Sequence, residues 1–242
     1  MEAAKARGGA SAGPRARAAE RKAAPDAQIG ERLRAERERL GLSLRKLAAR
    51  LELSPSALSQ IETGRSRPSV KTLYALVNEL GISFDSLFVS EVRATDGPED
   101  AVSHGEPGGI TVRSIGNDPE QIVQRAGMRK TIELESGVVW ERLNPPGDRD
   151  VEFLEVTYAV GGASSSGGTY VRHAGREYGL VLSGRLQVTV GFEEFELRPG
   201  DSVCFESWTP HRLATVGLKP VKAIWFVIGR AGSDARAGWD AE

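Results

Sequence analysis

The chain has 242 residues and a formal net charge of −1, and this length allows two ordinary domains that each bury a core. Its single cysteine, Cys204, excludes an intramolecular disulfide framework and is typical of a reducing cytoplasm. No stretch of about 18 consecutive apolar residues is present, which excludes a helix that spans a membrane.

Charge is unevenly distributed along the chain. Residues 1–27 contain six Lys or Arg residues against three acidic ones, residues 28–90 contain ten against seven, and residues 91–242 contain sixteen against twenty-three. The basic excess therefore lies near the N-terminus. Residues 1–27 are rich in Ala, Gly and Arg and lack any apolar run, so they are predicted to form a disordered basic tail.

Five short helices are predicted between residues 29 and 88. The central pair lies in SLRKLAARLELSPSALSQIETG, where apolar residues recur at spacings of three and four. Ser43 and Ser54 are placed to cap the two helices, and Gly64 is placed to end the second one in a left-handed conformation. The outer face of the second helix carries short polar or amide side chains and no large apolar group.

The SPSALSQIE segment and the Gly-Arg turn after it resemble the Cro/C1 (XRE-type) helix-turn-helix domains of phage and bacterial repressors, and the resemblance covers residues 28–90. It implies a DNA-binding domain whose second helix of the pair, Pro55–Glu62, lies in the major groove. Gln60 would then donate to and accept from an adenine edge, and Ser56 would also reach a base. The residues predicted to contact DNA are Arg45, Lys46, Ser54, Pro55, Ser56, Ala57, Ser59, Gln60, Arg65 and Arg67.

Two positions depart from the pattern of these domains. Leu44 stands where many relatives have a Gln whose amide meets a phosphate, so that contact is not expected here. Glu52 stands in the turn where Gly is frequent, and a non-glycine residue with positive φ is uncommon. We therefore expect the local backbone of that turn to differ.

Residues 91–109 are rich in Gly, Pro and acidic residues and are predicted to form an interdomain linker. Beyond them, short β-rich runs alternate with Gly and Pro turns, which indicates an antiparallel sandwich or barrel over residues 110–232, followed by a tail over residues 233–242. The runs are ITVRSI, VVWERLN, VEFLEVTYAV, TYVRH, YGLVLSG, RLQVTV, SVCF and VKAIWFVIG. In SVCF, Cys204 is interpreted as a small buried residue rather than a reactive thiol.

The spacing of His173, Glu177, Gly184, a Pro-Gly-Asp turn and His211 resembles the two motifs of the cupin family, a double-stranded β-helix or jelly roll. The resemblance implies three His and one Glu as metal ligands, but Val171 stands at one of the His positions. Two alternatives stay open: two His and one carboxylate hold one divalent metal (Zn, Fe or Mn), or a metal-free barrel binds a small organic ligand. Candidates for lining the pocket are Trp140, Arg142, Phe153 and Arg172.

The whole chain resembles the XRE-family regulators that join an all-α helix-turn-helix domain to an all-β cupin sensor domain. We therefore expect a cytoplasmic transcriptional regulator, and no enzyme, that binds double-stranded operator DNA and a small-molecule effector. A homodimer is expected because one such domain makes few base contacts. The alternative is a non-haem metal-dependent oxygenase or epoxidase of the hydroxypropylphosphonate epoxidase type, which combines the same kinds of domain. The intact recognition helix and the missing metal ligand favour the regulator.

The linker composition also carries an expectation about signalling. Because a Gly/Pro linker is too flexible to act as a rigid lever, ligand binding and DNA binding are expected to be coupled through the arrangement of the dimer.

Overall fold

The structure is a computed structural model that describes residues 25–88, 122–145 and 151–229. The predicted linker, the ITVRSI run, the C-terminal tail and most of the predicted N-terminal tail lie outside these residues. The first range consists of helices α1 (Pro25–Arg39), α2 (Leu44–Arg50), α3 (Pro55–Glu62), α4 (Val70–Leu80) and α5 (Phe84–Phe88). Helix α1 thus begins inside the segment predicted as tail. Within the described part, no helix is long and apolar enough to cross a membrane.

The starts of α2 and α3 follow from side-chain caps that the sequence predicts. Ser43 Oγ and Ser54 Oγ each accept a hydrogen bond from the backbone N–H three residues further on, at 3.2 and 3.1 Å. Gly64, just beyond α3, has a φ of 67°, as predicted. Glu52 also has a positive φ, of 54°, so the turn keeps the left-handed conformation that glycine often supplies. The expected departure of the backbone at Glu52 is therefore absent.

The helical core forms where the apolar stripes of α1 to α4 meet. Leu33, Leu47, Leu58 and Leu73 are at most 1% exposed. Helix α1 crosses α3 closely at Gly30, because a Cβ atom there would lie 2.3 Å from a backbone carbonyl oxygen near the end of α3. This crossing fixes the position of α3 and leaves its other face towards solvent.

The remaining described residues contain two 3₁₀ turns, Ala126–Met128 and Glu135–Gly137, and otherwise mainly antiparallel strands. The strands are β1 (Thr131–Leu134), β2 (Val138–Arg142), β3 (Val151–Tyr158), β4 (Arg176–Ser183), β5 (Leu186–Val190), β6 (Glu193–Leu197), β7 (Ser202–Glu206), β8 (His211–Thr215) and β9 (Val221–Ile228). One sheet has the order β1-β2-β3-β9-β4-β7, and the second has the order β6-β5-β8. Alternate residues of both sheets line a shared interior, which is the arrangement of a jelly roll.

Two predictions about the barrel are wrong, and three of its strands were not predicted. TYVRH is not a strand, because Val171 makes one isolated bridge to His211 and the N–H of His173 then donates to the Ser207 carbonyl, so the segment leaves the ladder. Strands β1, β6 and β8 were not predicted. Strand β6 (EEFEL) is exposed along most of its length and shows no apolar alternation. Cys204 is exposed rather than buried, because it lies on the outward face of β7 at the edge of the larger sheet.

The helical part and the barrel are in direct contact. The Pro68 carbonyl accepts a hydrogen bond from the Glu135 N–H at 2.9 Å. Next to it, Arg67 Nη2 lies 2.6 Å from Glu133 Oε2 on β1. The loop between α3 and α4 is therefore docked on the barrel. The linker composition predicted that coupling between the two parts passes through the dimer, but this direct contact offers a route within one chain.

Candidate functional site

Helix α3 presents a polar surface to solvent. Its apolar residues Leu58 and Ile61 are buried against the helical core, at 0% and 7% exposed. Ser56 and Gln60 consequently lie on the exposed side, and Ser54 and Pro55 at the start of the helix are exposed as well; Ala57 and Ser59 are half-buried. An amide that donates and accepts, with short side chains around it, is suited to hydrogen bonding with base edges in a groove.

The predicted phosphate-contacting cations surround this helix. Arg45 and Lys46 on α2 and Arg65 after α3 are exposed. Arg67 is also exposed, but its guanidinium is paired with Glu133 of the barrel, so its charge is compensated in this conformation. The surface around α3 therefore has the positive charge that phosphate contact requires, with one cation shared between the two parts.

A buried ion pair that the sequence analysis missed holds α3 to α1. Arg37 Nε and Nη2 donate to the two carboxylate oxygens of Glu62 at 2.6 and 2.9 Å, and Nη1 donates to the Leu42 carbonyl. The hydrogen bond to Glu62 raises the pKa of Arg37. This bidentate geometry fixes the orientation of α3. The available signal was that Glu62 follows Leu58 by four residues and so shares its buried face.

Inside the barrel, His173, Glu177 and His211 converge. Glu177 lies on β4 and His211 begins β8, while His173 lies in the extended segment before β4. Glu177 Oε1 is 2.8 Å from His173 Nε2 and 3.2 Å from His211 Nε2. The three side chains are at most 3% exposed and their donor atoms all lie within 4.8 Å of one another. The structure thus brings together the three residues that the cupin resemblance singled out, with Val171 beside them.

Backbone carbonyls fix the tautomers of both imidazoles. His173 Nδ1 lies 3.0 Å from the Ala174 oxygen, and His211 Nδ1 lies 2.9 Å from the Thr209 oxygen. A carbonyl oxygen only accepts, so each Nδ1 carries a proton and each neutral ring has its lone pair on Nε2. Within the described residues, His173 Nε2 and Glu177 Oε1 lie close and yet form no hydrogen bond of acceptable geometry. Two nitrogen lone pairs and a carboxylate oxygen that face one another fit a bound divalent cation.

The ionisation of these groups agrees with that fit. Burial by itself would raise the pKa of Glu177, but the adjacent imidazoles of His173 and His211, which compensate the carboxylate when they are protonated, lower it to about 2. Burial lowers the pKa of His211. At neutral pH the carboxylate is therefore ionised and the His211 imidazole neutral, which are the forms that bind metal.

Trp225 holds the second carboxylate oxygen. Its Nε1 donates to Glu177 Oε2 at 2.6 Å. The indole reaches this position because it lies over Gly179 of β4, where a Cβ atom would be 2.1 Å from the ring. Since Oε2 is occupied by Trp225, Oε1 is the oxygen that faces the imidazoles. The sequence signal for this contact was the glycine in the middle of a strand.

A small cavity lies against the cluster. Its volume is about 20 Å³, room for about one water molecule or one ion. Trp140 and Val171 line it, together with Val70 and Tyr74 of α4. The helical part therefore supplies part of the wall, which the sequence analysis did not predict.

Three of the four predicted pocket residues do not line this cavity. Arg142 is buried, but its guanidinium donates to the Asn144 side chain and the carbonyl of the following residue. Phe153 points to the outside of the larger sheet and stacks on Phe226 with ring centroids 4.2 Å apart. Arg172 is exposed and donates to the Trp208 carbonyl. Strand alternation places Phe153 away from the interior and Trp140 towards it. Arg142 shares the buried face of Trp140 but lies at the end of β2, outside the cavity lining. Arg172 lies in the segment before β4, which is not a strand.

Comparison with known proteins assigns both parts to families. Residues 33–87 match the helix-turn-helix family, and residues 154–227 match the cupin domain family. The chain thus has the domain organisation of a helix-turn-helix transcriptional regulator with a cupin domain. The predicted fold class, an all-α helix-turn-helix domain followed by an all-β cupin domain, is therefore confirmed.

Individual relatives of this regulator extend over most of its length. It is 27% identical over 161 residues to the HTH-type transcriptional regulator PuuR of Escherichia coli, across 66% of this chain and 72% of PuuR. A solved helix-turn-helix family transcriptional regulator from Vibrio cholerae shares its fold with a TM-score of 0.55 and 22% identity, over 84% of this chain and 96% of that one. Hydroxypropylphosphonic acid epoxidase from S. wedmorenis aligns with a TM-score of 0.39 and 21% identity, over 84% and 98% of the two chains. That last likeness is too low to bear on function.

Proposed function

We propose that this regulator binds a specific double-stranded operator through α3 and that its cupin barrel binds a small-molecule effector. The observation that carries the proposal is the exposed polar face of α3, with Ser56 and Gln60 outward and Leu58 buried beneath them. Exposed cations on both sides supply the attraction for phosphates. We place the protein in the cytoplasm, where it has access to its operator.

The regulator acts as a homodimer. One domain of this size makes few base contacts, so useful specificity needs two half-sites about 34–36 Å apart on one face of the duplex. Light scattering at micromolar concentration, with and without operator, measures the assembly. A monomer that binds one operator per chain would contradict the dimer.

The barrel cluster is where a ligand binds. His173 Nε2, His211 Nε2 and Glu177 Oε1 would hold a divalent metal, which supplies a Lewis-acidic centre for polar groups of an effector. Elemental analysis of the purified protein shows whether Zn, Fe or Mn is present. A thermal-shift screen of small molecules on metal-loaded and EDTA-treated protein then shows whether effector binding depends on the metal.

Gln60→Ala tests the DNA-reading role. We expect the variant to lose about 1–3 kcal/mol of preference for operator over scrambled DNA, because the bidentate contact to one base is lost. Non-specific binding should stay largely intact, since the exposed cations are unchanged. Binding isotherms at fixed salt, on an operator selected from a random duplex pool, give the specificity ratio. Gln187→Ala, on β5 of the barrel, is the control, and an unchanged ratio for Gln60→Ala would remove this residue from the readout.

A metal-dependent oxygenase is the second candidate, favoured by the two-His, one-carboxylate set of the barrel. Oxygen consumption by Fe(II)-loaded protein, supplied with the compounds that pass the thermal-shift screen, discriminates the two functions. Consumption that exceeds that of the Glu177→Gln variant, with no operator selected from the duplex pool, would favour the enzyme. Operator binding without oxygen consumption supports the regulator.

A further inference from the structure

Tyr74 of α4 closes the end of the barrel above the buried cluster. Its ring stacks on His173 with centroids 4.1 Å apart and planes 9° apart, and it meets Trp140 edge-on at 5.7 Å. Its hydroxyl donates to Glu152 Oε2 at the start of β3, at 3.3 Å. Only 5% of Tyr74 is exposed. A side chain of the DNA-binding domain thus spans the opening of the cupin barrel.

The size of the cavity limits what can bind while Tyr74 is in place. The volume of about 20 Å³ accepts an ion with little else, since one water molecule already needs about 10–15 Å³. An organic molecule that reaches His173 therefore needs the space that the Tyr74 ring occupies. An ion, in contrast, can bind beneath the ring with no displacement.

We propose that Tyr74 is a removable plug, and that an organic effector binds by taking the place of its ring on His173. This inference rests on the proposed function of the barrel as a small-molecule sensor, and it adds how the sensor reaches the DNA-binding domain. Binding of the effector and docking of α4 on the barrel then exclude each other. A ligand can shift this equilibrium because it binds the undocked form only.

The contacts next to Tyr74 connect the plug to α3. The loop that joins α3 to α4 carries both the Arg67–Glu133 ion pair and the Pro68–Glu135 backbone hydrogen bond. Helices α3 and α4 both pack against α1 and are joined by a short loop, so we expect them to move together when α4 leaves the barrel. Displacement of Tyr74 therefore frees Arg67 from Glu133 and moves the recognition helix relative to the barrel.

The Glu135 amide provides a direct readout of docking, because its hydrogen bond partner, the Pro68 carbonyl, belongs to the other domain. In full-length Tyr74→Ala protein we expect hydrogen exchange at this amide to accelerate about tenfold or more over wild type. The Leu73 amide, bonded to the Ser69 carbonyl within α4, should keep its protection. Equal acceleration at both amides would instead mean that Tyr74 only stabilises the helical domain, and would overturn the proposal.

The same proteins test whether an organic molecule can replace the plug. The probe is p-cresol, which is the tyrosine side chain itself. We expect saturable binding to Tyr74→Ala, seen as NMR shifts of the His173 ring, and none to wild type or to Tyr74→Phe, in which the ring is retained. Tyr178→Ala, on the exposed face of β4, is the control for loss of a tyrosine elsewhere. Binding of p-cresol to all four proteins alike, or to none, would refute the plug.

The proposal can still be tested if the Tyr74→Ala variant does not fold. If Tyr74→Ala is not folded by circular dichroism, Tyr74→Leu keeps an apolar side chain with high helix propensity and repeats both measurements. Operator titrations of the same proteins separate this inference from the proposed function. Absence of DNA binding by wild type refutes the regulator, whereas DNA binding with unchanged Glu135 exchange in the variants refutes the plug alone.

Discussion

Glu62 in the helical domain and Glu177 in the barrel are both 3% exposed, yet they are neutralised in opposite ways. Glu62 receives two hydrogen bonds from the Arg37 guanidinium, a permanent cation on the neighbouring helix. Glu177 receives one from Trp225, and its other oxygen faces the lone pairs of two imidazoles. The negative charge of Glu62 is thus compensated within the fold. The charge of Glu177 is compensated only when a proton or a metal ion lies between the carboxylate and the imidazoles.

This difference separates a structural site from a binding site by chemistry alone. A buried charge must be compensated, and a fold that supplies the compensating charge itself has nothing left to bind. A fold that places further acceptors around the charge leaves a position for a cation. Burial and residue type are the same for the two glutamates, so the partners decide the role.

The largest effect is expected from Glu62→Gln, which removes the charge that Arg37 needs. An amide cannot neutralise the guanidinium, so the helical domain should lose about 3 kcal/mol of stability. Urea unfolding followed by circular dichroism measures it. Glu79→Gln, at a half-exposed pair with Arg50, is the control and should cost less than about 1 kcal/mol. Equal losses for the two variants would mean that burial of the Arg37 pair is irrelevant to stability.

A smaller loss is expected from Trp225→Phe, which removes the donor to Glu177 Oε2. A hydrogen bond to a buried charged group contributes about 2 kcal/mol, so the barrel should lose about that amount. Thermal unfolding of EDTA-treated protein gives the value. Trp208→Phe changes an indole that is 45% exposed and serves as the control. If Trp225→Phe behaves like the control, the indole does not hold the carboxylate.

The smallest effect, and one of opposite sign, is expected from Glu177→Gln. The Gln oxygen keeps the bond from Trp225, while its NH2 group donates to the two imidazole lone pairs, so metal-free protein should gain about 1 kcal/mol. Added Zn²⁺ should stabilise wild type and leave the variant unchanged, because one ligand is lost. Thermal unfolding with EDTA and with Zn²⁺ measures both. A destabilised metal-free variant would show that the fold compensates the charge of Glu177 as fully as that of Glu62.

The sequence predicted those features that local chemistry determines. Caps at Ser43 and Ser54 and the left-handed Gly64 set the helix ends, and each depends on residues within one turn. The cluster of His173, Glu177 and His211 was predicted from the resemblance of its spacing to the cupin motifs. Such signals survive in a single sequence because the interacting groups are near one another along the chain, or follow a fixed family spacing.

The features that were missed depend on contacts between distant residues. Nothing near Tyr74 in sequence distinguishes it from an ordinary core residue of α4, and its partner His173 is in the other domain. Strand β6 is exposed, so its hydrophobic pattern is absent although its ladder with β5 is complete. Phe153 and Arg172 were predicted to lie at the pocket from their residue types, whereas alternation along β3 places Phe153 outside and the Arg172 guanidinium binds the Trp208 carbonyl at the surface.

The exposed Cys204 has a practical consequence for following this protein in solution. It is the single cysteine of the chain, and it lies on the outer side of β7, opposite Tyr178 of the strand that carries Glu177. A maleimide fluorophore would therefore label one site per chain, and no cysteine has to be introduced or removed. In a mixture of donor-labelled and acceptor-labelled chains, energy transfer would report the distance between the subunits of the proposed dimer, and a rearrangement caused by DNA or by a ligand would change the emitted colour.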